Sequence, residues 1–232
     1  MGWLPHKDFD TLVDRAGLAE LRKKRTTLRE QLQGNPGCIE LMGARNELSA
    51  QERSPDELMA PLGPTVTVHD LLAVTIGELS LPRRKVVYAL AACGMPVDDT
   101  TVIALLTGDV KDVEVGGALE DLTRNQLVSK TSAKLYNLSV DNTNALLPPA
   151  GEERAELLLR AADELGKRRV VNSTGPDQLR THFAQLQALL TAERYGVAYD
   201  VIDDMIDFVN KWELRIHALP TAQEDSEPAS VS

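Results

Sequence analysis

The chain has 232 residues, 43% of them hydrophobic and 26% charged, which predicts a globular protein long enough for more than one core. Its formal net charge of −10 excludes a surface that attracts nucleic acid as a whole, so such binding would need a local basic patch. Aromatic residues make up only 4% of the chain, and a core of small aliphatic side chains suits packed helices better than a β-sandwich.

Residues 1–64 are predicted to form a helical subdomain. Apolar spacing indicates a helix over Lys7–Gly17 and a basic amphipathic helix over Leu18–Gln33. The cluster Gly34-Asn35-Pro36-Gly37 ends the second of these helices. Pro36 then suits the first turn of the next helix, because its missing N–H costs no hydrogen bond there.

The stretch Glu78–Ser139 is the most informative part of the chain. Its apolar spacing predicts three short helices, the third being Val113–Asn125, and then strand-like runs at Leu127-Val128 and Leu135–Leu138. Three helices closed by a small β-hairpin are the order of a winged helix. We therefore predict a winged-helix domain over residues 65–141.

Residues 142–151 are predicted to be a linker, because they include Pro148-Pro149 and precede a change of pattern. Beyond the linker the apolar spacing becomes that of longer amphipathic helices. The three expected helices are Glu152–Leu165, Pro176–Glu193 and Val197–His217.

Residues 152–219 are predicted to form a tetratricopeptide-like α-helical array. Arg194-Tyr195 followed by Ala198 resembles the junction between the two helices of such a repeat, with Tyr195-Gly196 separating the last two helices. The last helix carries one apolar stripe, formed by Ala198, Val201, Ile202, Met205, Ile206 and Val209. Residues 220–232 are acidic and polar, and we predict a disordered tail there.

Cysteine usage and the amino-terminal sequence bear on the compartment. Cys38 and Cys93 lie far apart in apolar segments, which predicts buried free thiols and no disulfide framework or metal site. The start MGWLPHKDFD lacks the apolar run of a signal peptide, and no segment approaches a membrane span. We therefore expect a cytoplasmic location.

Motifs for common nucleotide and hydrolase chemistry are absent from the sequence. It contains no GxxxxGK[ST], no GxGxxG after a predicted strand and no GxSxG. The four histidines are not at metal-ligand spacing, and His182 is predicted to be a helix-surface residue. We therefore expect neither a phosphate cradle nor a catalytic constellation in this chain.

One acidic motif suggests a different class of protein. Asp203, Asp204 and Asp207 fit the DDxxD pattern with which prenyl synthases bind magnesium diphosphate, and on a helix their oxygens could cluster around hard cations. A solvated acidic face explains the same residues more simply, because one short motif is weak evidence. An isoprenoid enzyme is kept as a rival hypothesis.

A winged-helix DNA-binding transcription regulator is the main alternative function. The predicted third helix, Val113–Asn125, has three acids against the single base Arg124, a net charge of −2. Its acids are Glu114, Glu120 and Asp121. A helix of this charge enters a groove at a Coulombic disadvantage. The basic run Arg22–Arg29 could contact phosphate, but a solvated helix face is the simpler interpretation.

Residues 5–219 resemble the carboxy-terminal part of a signal-transduction ATPase with numerous domains, of the NB-ARC-like STAND class. Gly34-Asn35-Pro36, followed by an apolar helix from Ile39, resembles that family's glycine-x-proline motif. LSLPRRKVVYALAACG resembles its first winged-helix segment, and GGALEDLTRNQLVS resembles its ALxxLVxxxLV phrase. The order of helical subdomain, winged helix and superhelical repeats also fits.

The resemblance implies a non-catalytic regulatory and protein-interaction segment of a signalling switch. In such proteins the winged helix closes over bound ADP, and the motif proline, here Pro36, packs on the adenine. Ser139 stands where the family has a histidine that touches the diphosphate, and its hydroxyl can still donate one hydrogen bond.

The nucleotide-binding domain of the family, with both Walker motifs, is not part of this sequence. ADP or ATP is therefore expected to bind only when that domain is supplied elsewhere. The implied partners are this P-loop domain and proteins that the terminal array would bind. An oligomer is compatible with the resemblance, whereas nucleic acid and membranes are not expected partners.

Overall fold

A computed structural model of the chain describes residues 5–48, 54, 57–58, 60, 66–139, 143–168 and 177–218. This described part contains ten α-helices and one small two-stranded antiparallel sheet, so the predicted mainly α-helical fold class is confirmed. Within the same residues, none of the helices combines the length and the apolar character needed to cross a bilayer. The predicted tail, 220–232, lies outside the described residues.

The described helices are numbered here in the order of the chain. They are α1 (His6–Arg15), α2 (Arg25–Gln31), α3 (Pro36–Leu48), α4 (Val68–Glu78), α5 (Leu81–Cys93), α6 (Asp99–Leu106), α7 (Asp112–Arg124), α8 (Glu152–Lys167), α9 (Asp177–Thr191) and α10 (Tyr195–Ala218). The strands are β1 (Val128–Lys130) and β2 (Tyr136–Leu138). Two short 3-10 helices lie at Ala19–Lys24 and Thr143–Leu146.

The basic segment before α3 differs from its prediction as a single helix. It is a 3-10 helix over Ala19–Lys24 followed by α2. Leu18 and Leu21 are both almost fully buried, and the tighter 3-10 turn brings positions three apart onto the same side. The α-helical turn then buries Leu28 and Leu32, which are four apart. A single α-helix would also place all four leucines on one face, so their burial does not explain the change of helix type.

Local capping signals lie at the starts of two helices. α3 begins at Pro36, as the position of the proline indicates. α6 begins after Asp98, whose carboxylate accepts the Thr101 N–H at 2.8 Å. Such signals act within one turn of the chain, so they can be recognised without any tertiary contact.

The region from α5 to β2 contains the predicted three helices and β-hairpin. β1 and β2 pair antiparallel, with Val128 opposite Leu138 and Lys130 opposite Tyr136. Val97, between α5 and α6, pairs with the other edge of β2: its N–H lies 3.0 Å from the Tyr136 oxygen, and its oxygen 2.7 Å from the Tyr136 N–H. The extended segments therefore lie in the order Val97, β2, β1.

The described part of the predicted linker packs against the protein. Leu146 and Leu147 are buried, and the 3-10 helix at Thr143–Leu146 contacts α4 and α5. This contact exists because two consecutive leucines supply apolar surface where the sequence otherwise has turn-forming residues. The predicted domain boundaries at 64 and 141 fall on residues outside the described ranges and stay predictions.

α8, α9 and α10 follow as an antiparallel series, in which α9 contacts both α8 and α10. The predicted break at Tyr195-Gly196 is wrong, because α10 already begins at Tyr195. The turn lies at Ala192–Arg194, where Glu193 has φ +58° and the Arg194 N–H donates to the Leu189 oxygen at 2.9 Å. A left-handed residue thus ends α9 without help from the glycine.

Ion pairs connect α8 to the preceding helices. Lys85 of α5 lies 2.8 Å from Glu153, and Arg168 lies 2.7 Å from Asp98. Burial alone would raise the pKa of Asp98, but hydrogen bonds from Arg168 and Thr101 hold this pKa well below its usual range. Together with one continuous hydrophobic cluster, these pairs hold α8 against α5 and α6.

Candidate functional site

An open cleft of about 450 Å³ separates the amino-terminal helices from the end of α7 and β2. One wall comes from α1, α3 and α4, and the other from residues 124–127 and 138–139. Its lining is mainly apolar, with Leu12, Leu41, Val68, Leu72, Ile76 and Leu138 among its members. A cleft of this size, with a few polar groups at its edge, is the usual form of a ligand or partner site.

A close helix crossing shapes the first wall. A Cβ atom added to Gly43 of α3 would lie 2.6 Å from the Ala16 backbone oxygen and 2.9 Å from the Ala16 Cβ. Only glycine therefore allows α1 and α3 to approach this closely. Because Ala16 and Gly43 both line the cleft, the crossing sets the position of this wall.

A buried arginine fixes α3 against α4. Arg45 is only 2% exposed, and its Nε and Nη2 donate to the two Glu78 carboxylate oxygens at 2.6 and 2.7 Å. Its Nη1 donates to the Leu58 oxygen at 2.6 Å. A buried guanidinium is tolerated because its donors are paired in this two-pronged geometry. The pair thus determines how α3 and α4 together form the wall.

Sequence reasoning missed Arg45. The residue lies four after Leu41 and three before Leu48, both of which are buried, so it belongs to an apolar helical face. A charged residue inside such a face was the available signal for a buried ion pair. The identity of its partner, Glu78, depends on the packing of α3 against α4 and is not encoded locally.

A second arginine connects the two walls. Arg83 of α5 donates through Nη1 to the Leu48 oxygen at 3.0 Å and through Nη2 to the Asp121 carboxylate at 2.6 Å. Leu48 ends α3, and Asp121 lies in the last turn of α7. The guanidinium therefore holds α7 at a defined position relative to α3, which limits how far the cleft can open.

The two residues implied in nucleotide contact lie near this cleft. Ser139 lines it directly, is exposed, and donates its backbone N–H to the Leu127 oxygen at 3.1 Å. Pro36 is exposed at the first turn of α3 and is not a lining residue, but the next residue, Gly37, is. The fold thus brings Ser139 and the first turn of α3 to one opening.

An unsatisfied acceptor belongs to the same cleft. The Asn125 amide nitrogen donates to the Asp121 oxygen at 2.9 Å, whereas its buried Oδ1 has no hydrogen-bond partner among the described residues. Leaving such an atom unpaired costs about 1–3 kcal/mol. Asn125 is one of the lining residues, but Oδ1 itself is buried, so a ligand would reach it only after this side chain moved.

The exposed face of α7 is acidic. α7 contains four acids and the single base Arg124, a net charge of −3, and Arg124 lies 3.4 Å from Asp121. The exposed acids are Asp112, Glu114 and Glu120. Gly116 and Gly117 add no side chain to this face. A DNA-reading helix would need the opposite charge balance.

The three aspartates of the DDxxD pattern all lie on α10. Asp203, Asp204 and Asp207 are exposed, with Asp203 and Asp207 one helical turn apart. Within the described ranges, no group of three or more His, Cys, Asp or Glu side chains is placed to hold a metal ion.

His182 is not the surface residue that the sequence predicts. It is 7% exposed, and its ring centroid lies 6.2 Å from that of Phe208. α9 is packed between α8 and α10, so the face that carries His182, Gln185 and Leu189 is buried. The helical spacing of these three positions was the signal that could have identified it.

The predicted buried free thiols are confirmed. Cys38 and Cys93 are both fully buried and unbridged. Burial raises the pKa of the Cys38 thiol to about 11 and that of the Cys93 thiol to about 12. Neither thiol therefore supplies a nucleophilic thiolate at neutral pH.

The basic run before α3 is described only in part. The side chains of Arg22, Lys23 and Arg25 lie outside the described residues. Arg29 is partly buried, and its Nη1 lies 3.0 Å from Nδ1 of His6. At least one member of the run is therefore used within the fold, between α2 and α1.

No protein-family model, no curated protein and no solved structure matches this chain. The resemblance to the STAND class rests on the sequence motifs alone.

Proposed function

We propose that the chain is a non-catalytic regulatory and protein-interaction segment of a STAND-type signalling switch. It would control a P-loop nucleotide-binding domain that is supplied elsewhere. The observation that carries this proposal is the cleft at which Ser139 and the first turn of α3 meet. These positions lie far apart in the sequence, and the resemblance implies nucleotide contact at both.

The arrangement of α5 to β2 supports a winged-helix domain. Helix α5, the Val97 pairing segment, helices α6 and α7, and then the β1–β2 hairpin follow in this order. Val97, Val128, Tyr136 and Leu138 are all buried, so the sheet packs on the helices. The hairpin would be the wing, with Ser139 immediately behind its second strand.

The lining of the cleft would supply part of a diphosphate site shared with a second domain. Ser139 offers a hydroxyl donor, whereas the charges of Arg15 and Arg124 are balanced by those of Glu40 and Glu47, so the P-loop domain would supply the net positive charge. ADP would supply the negative charge and the adenine ring. Pro36 would pack on that ring.

The mechanism that follows is conformational. With ADP bound, the winged helix and the helical subdomain would close over the P-loop domain and hold it inactive. ATP loading would favour the open arrangement, provided that the closed arrangement binds ADP more tightly than ATP. The terminal helices would remain available for other proteins.

The first experiment measures nucleotide binding by calorimetry. We expect no binding of ADP or ATP to the chain alone, because it has no P-loop. Tight ATP binding or hydrolysis by the purified chain would refute the proposal. A salt-sensitive, sequence-specific gel shift would support the winged-helix DNA-binding alternative instead.

The second experiment adds a purified ADP-loaded P-loop domain of the STAND class. We expect a complex that Ser139→Ala weakens roughly tenfold or more, the value of one hydrogen bond to a charged group. Ser132→Ala is the matched control, because Ser132 is exposed in the hairpin turn and does not line the cleft. Equal affinities for both variants would remove the role assigned to Ser139.

A further inference from the structure

Exposed apolar side chains are concentrated on the last two helices. Of the nine large hydrophobic residues that are exposed in the described part of the chain, seven lie on or between α9 and α10. They are Phe183, Leu190, Tyr195, Val197, Tyr199, Ile202 and Ile206. Single exposed hydrophobics are ordinary, but a cluster of this kind marks an interaction surface.

Four of these residues form one line along α10. Tyr195, Tyr199, Ile202 and Ile206 are spaced by four, three and four residues, which places them on one helical face. We call this set the terminal stripe. Tyr195 and Tyr199 are 64% and 63% exposed, and Ile206 is 52% exposed. The adjoining face of α10, with Ala198 and Val201, packs into the core, so the stripe is a second apolar face.

Negative charge flanks the terminal stripe. The segment from Tyr195 to Asn210 contains four aspartates and no basic residue. All four side chains are exposed: Asp200, Asp203, Asp204 and Asp207. Asp203 and Asp207 directly follow Ile202 and Ile206, so they occupy the helix surface next to the stripe. A partner that binds this face of α10 therefore contacts apolar side chains and negative charge together.

The negative charge beside the terminal stripe indicates which kind of partner can bind there. A second copy of the chain would bring the Asp203 and Asp207 carboxylates of both copies close together, which opposes self-association. The chain's own carboxy-terminal sequence, PTAQEDSEPASVS, is acidic and has no large apolar side chain except valine. A cationic helix has the complementary charge and can supply apolar side chains at the matching spacing.

We infer that the terminal stripe binds an amphipathic helix of another protein, with apolar side chains along one face and lysines or arginines beside them. The inference goes beyond the proposed function, because no residue of α8, α9 or α10 lines the cleft. Of the earlier expectations, it makes only the one of protein partners more specific. The binding that it predicts needs neither a nucleotide nor a P-loop domain.

The test uses two synthetic helical peptides with identical leucine positions. One carries lysines and arginines beside the leucines, and the other carries glutamates at the same sites. Fluorescence anisotropy with the full chain is expected to show binding of the basic peptide and at least roughly tenfold weaker binding of the acidic one. Equal affinities would overturn the inference.

Variants locate the binding surface. Ile206→Ser should weaken the basic peptide roughly tenfold, whereas Val113→Ser, at an 88% exposed valine of α7, should leave its affinity unchanged. Asp203→Lys with Asp207→Lys should reverse the preference between the peptides. The control for net charge is Glu114→Lys with Glu120→Lys, on the exposed face of α7.

Each outcome of these binding experiments supports or refutes peptide binding at the terminal stripe. Binding that survives Ile206→Ser, or that Glu114→Lys with Glu120→Lys reduces equally, would place the peptide elsewhere and refute the inference. A dimer in sedimentation that Ile206→Ser dissolves would assign the stripe to a second copy. Ser139→Ala should not alter peptide binding, so failure here and failure of the proposed function are separable.

Discussion

Helices α3 and α10 lie near opposite ends of the chain and differ in which side chains they bury. α3 buries a guanidinium, Arg45, at 2% exposure, whereas α10 leaves Ile206 52% exposed. The guanidinium is accepted because the partners Glu78 and Leu58 satisfy it. The isoleucine is exposed because no described element packs on that side of α10. α3 is thus held in place by its neighbours, whereas one face of α10 is not covered by any described element.

This difference separates two roles within one fold. The walls of the cleft are held by contacts that tolerate little change, namely the Gly43 crossing and the Arg45 and Arg83 hydrogen bonds. Such a preformed site suits docking in a single geometry. The terminal stripe has no comparable restraint and can accept a helix laid along it.

The largest effect is expected from Arg45→Ala. Truncating this buried side chain leaves a cavity and removes the donor to the Leu58 oxygen, which should lower the free energy of unfolding by about 2–5 kcal/mol. Urea denaturation measures this change in the free energy of unfolding. Arg124→Ala is the control, because that side chain is 71% exposed and should cost less than about 0.5 kcal/mol. Similar losses for both would mean that the buried pair does not fix α3.

A smaller effect is expected from Gly43→Ala. The new methyl group would collide with Ala16, so α1 must shift, at a cost of about 1–3 kcal/mol. Gly116→Ala is the matched change in α7, where a Cβ meets nothing within 4 Å, and should stabilise the protein by roughly 0.5–1 kcal/mol. Thermal unfolding of the two variants should move in opposite directions; shifts of the same sign would contradict the close crossing.

The smallest effect is expected from Ile206→Ser, which should change stability by less than about 0.5 kcal/mol because the side chain is already exposed. Val201→Ser, on the buried face of the same helix and 2% exposed, should cost about 2–3 kcal/mol. Urea denaturation of both variants checks the contrast. A comparable loss for Ile206→Ser would show that another part of the chain covers the stripe.

Features set by neighbouring residues could be predicted from the sequence. The start of α3 at Pro36, the cap at Asp98, and the sequence of three helices and two strands before Ser139 all depend on local chemistry. Burial of Cys38 and Cys93 followed from their apolar surroundings. Each of these can be recognised within a window of a few turns.

Features set by packing could not be predicted in this way. The change of helix type within the Leu18–Gln33 segment is not indicated by the leucine spacing, because the four buried leucines would also share one face of a continuous α-helix. The helical spacing of His182 and Leu189 indicates a shared face, but only the packing of α9 between α8 and α10 decides that this face is buried. The break before α10 was misplaced, because hydrogen bonds around Glu193 end α9 before the glycine is reached.

The candidate site shows the same division. The sequence singled out Pro36 and Ser139 separately, through a resemblance, and it contained every charge that lines the cleft. The sequence alone does not indicate that Ser139 lies at the same opening as the first turn of α3. Nor does it indicate that Asn125 Oδ1 has no hydrogen-bond partner among the described residues.

The sequence by itself determined the helical character of the protein, the start of α3 at Pro36, the lack of a P-loop and the acidic charge, because these depend on composition and on short-range spacing. The tertiary structure alone decided the pairing of Arg45 with Glu78, the width of the cleft and the exposure of the terminal stripe. These features depend on which helices, distant in the sequence, pack against each other. The hydrophobic effect is non-directional, so it does not determine which helices pair until the whole core is assembled.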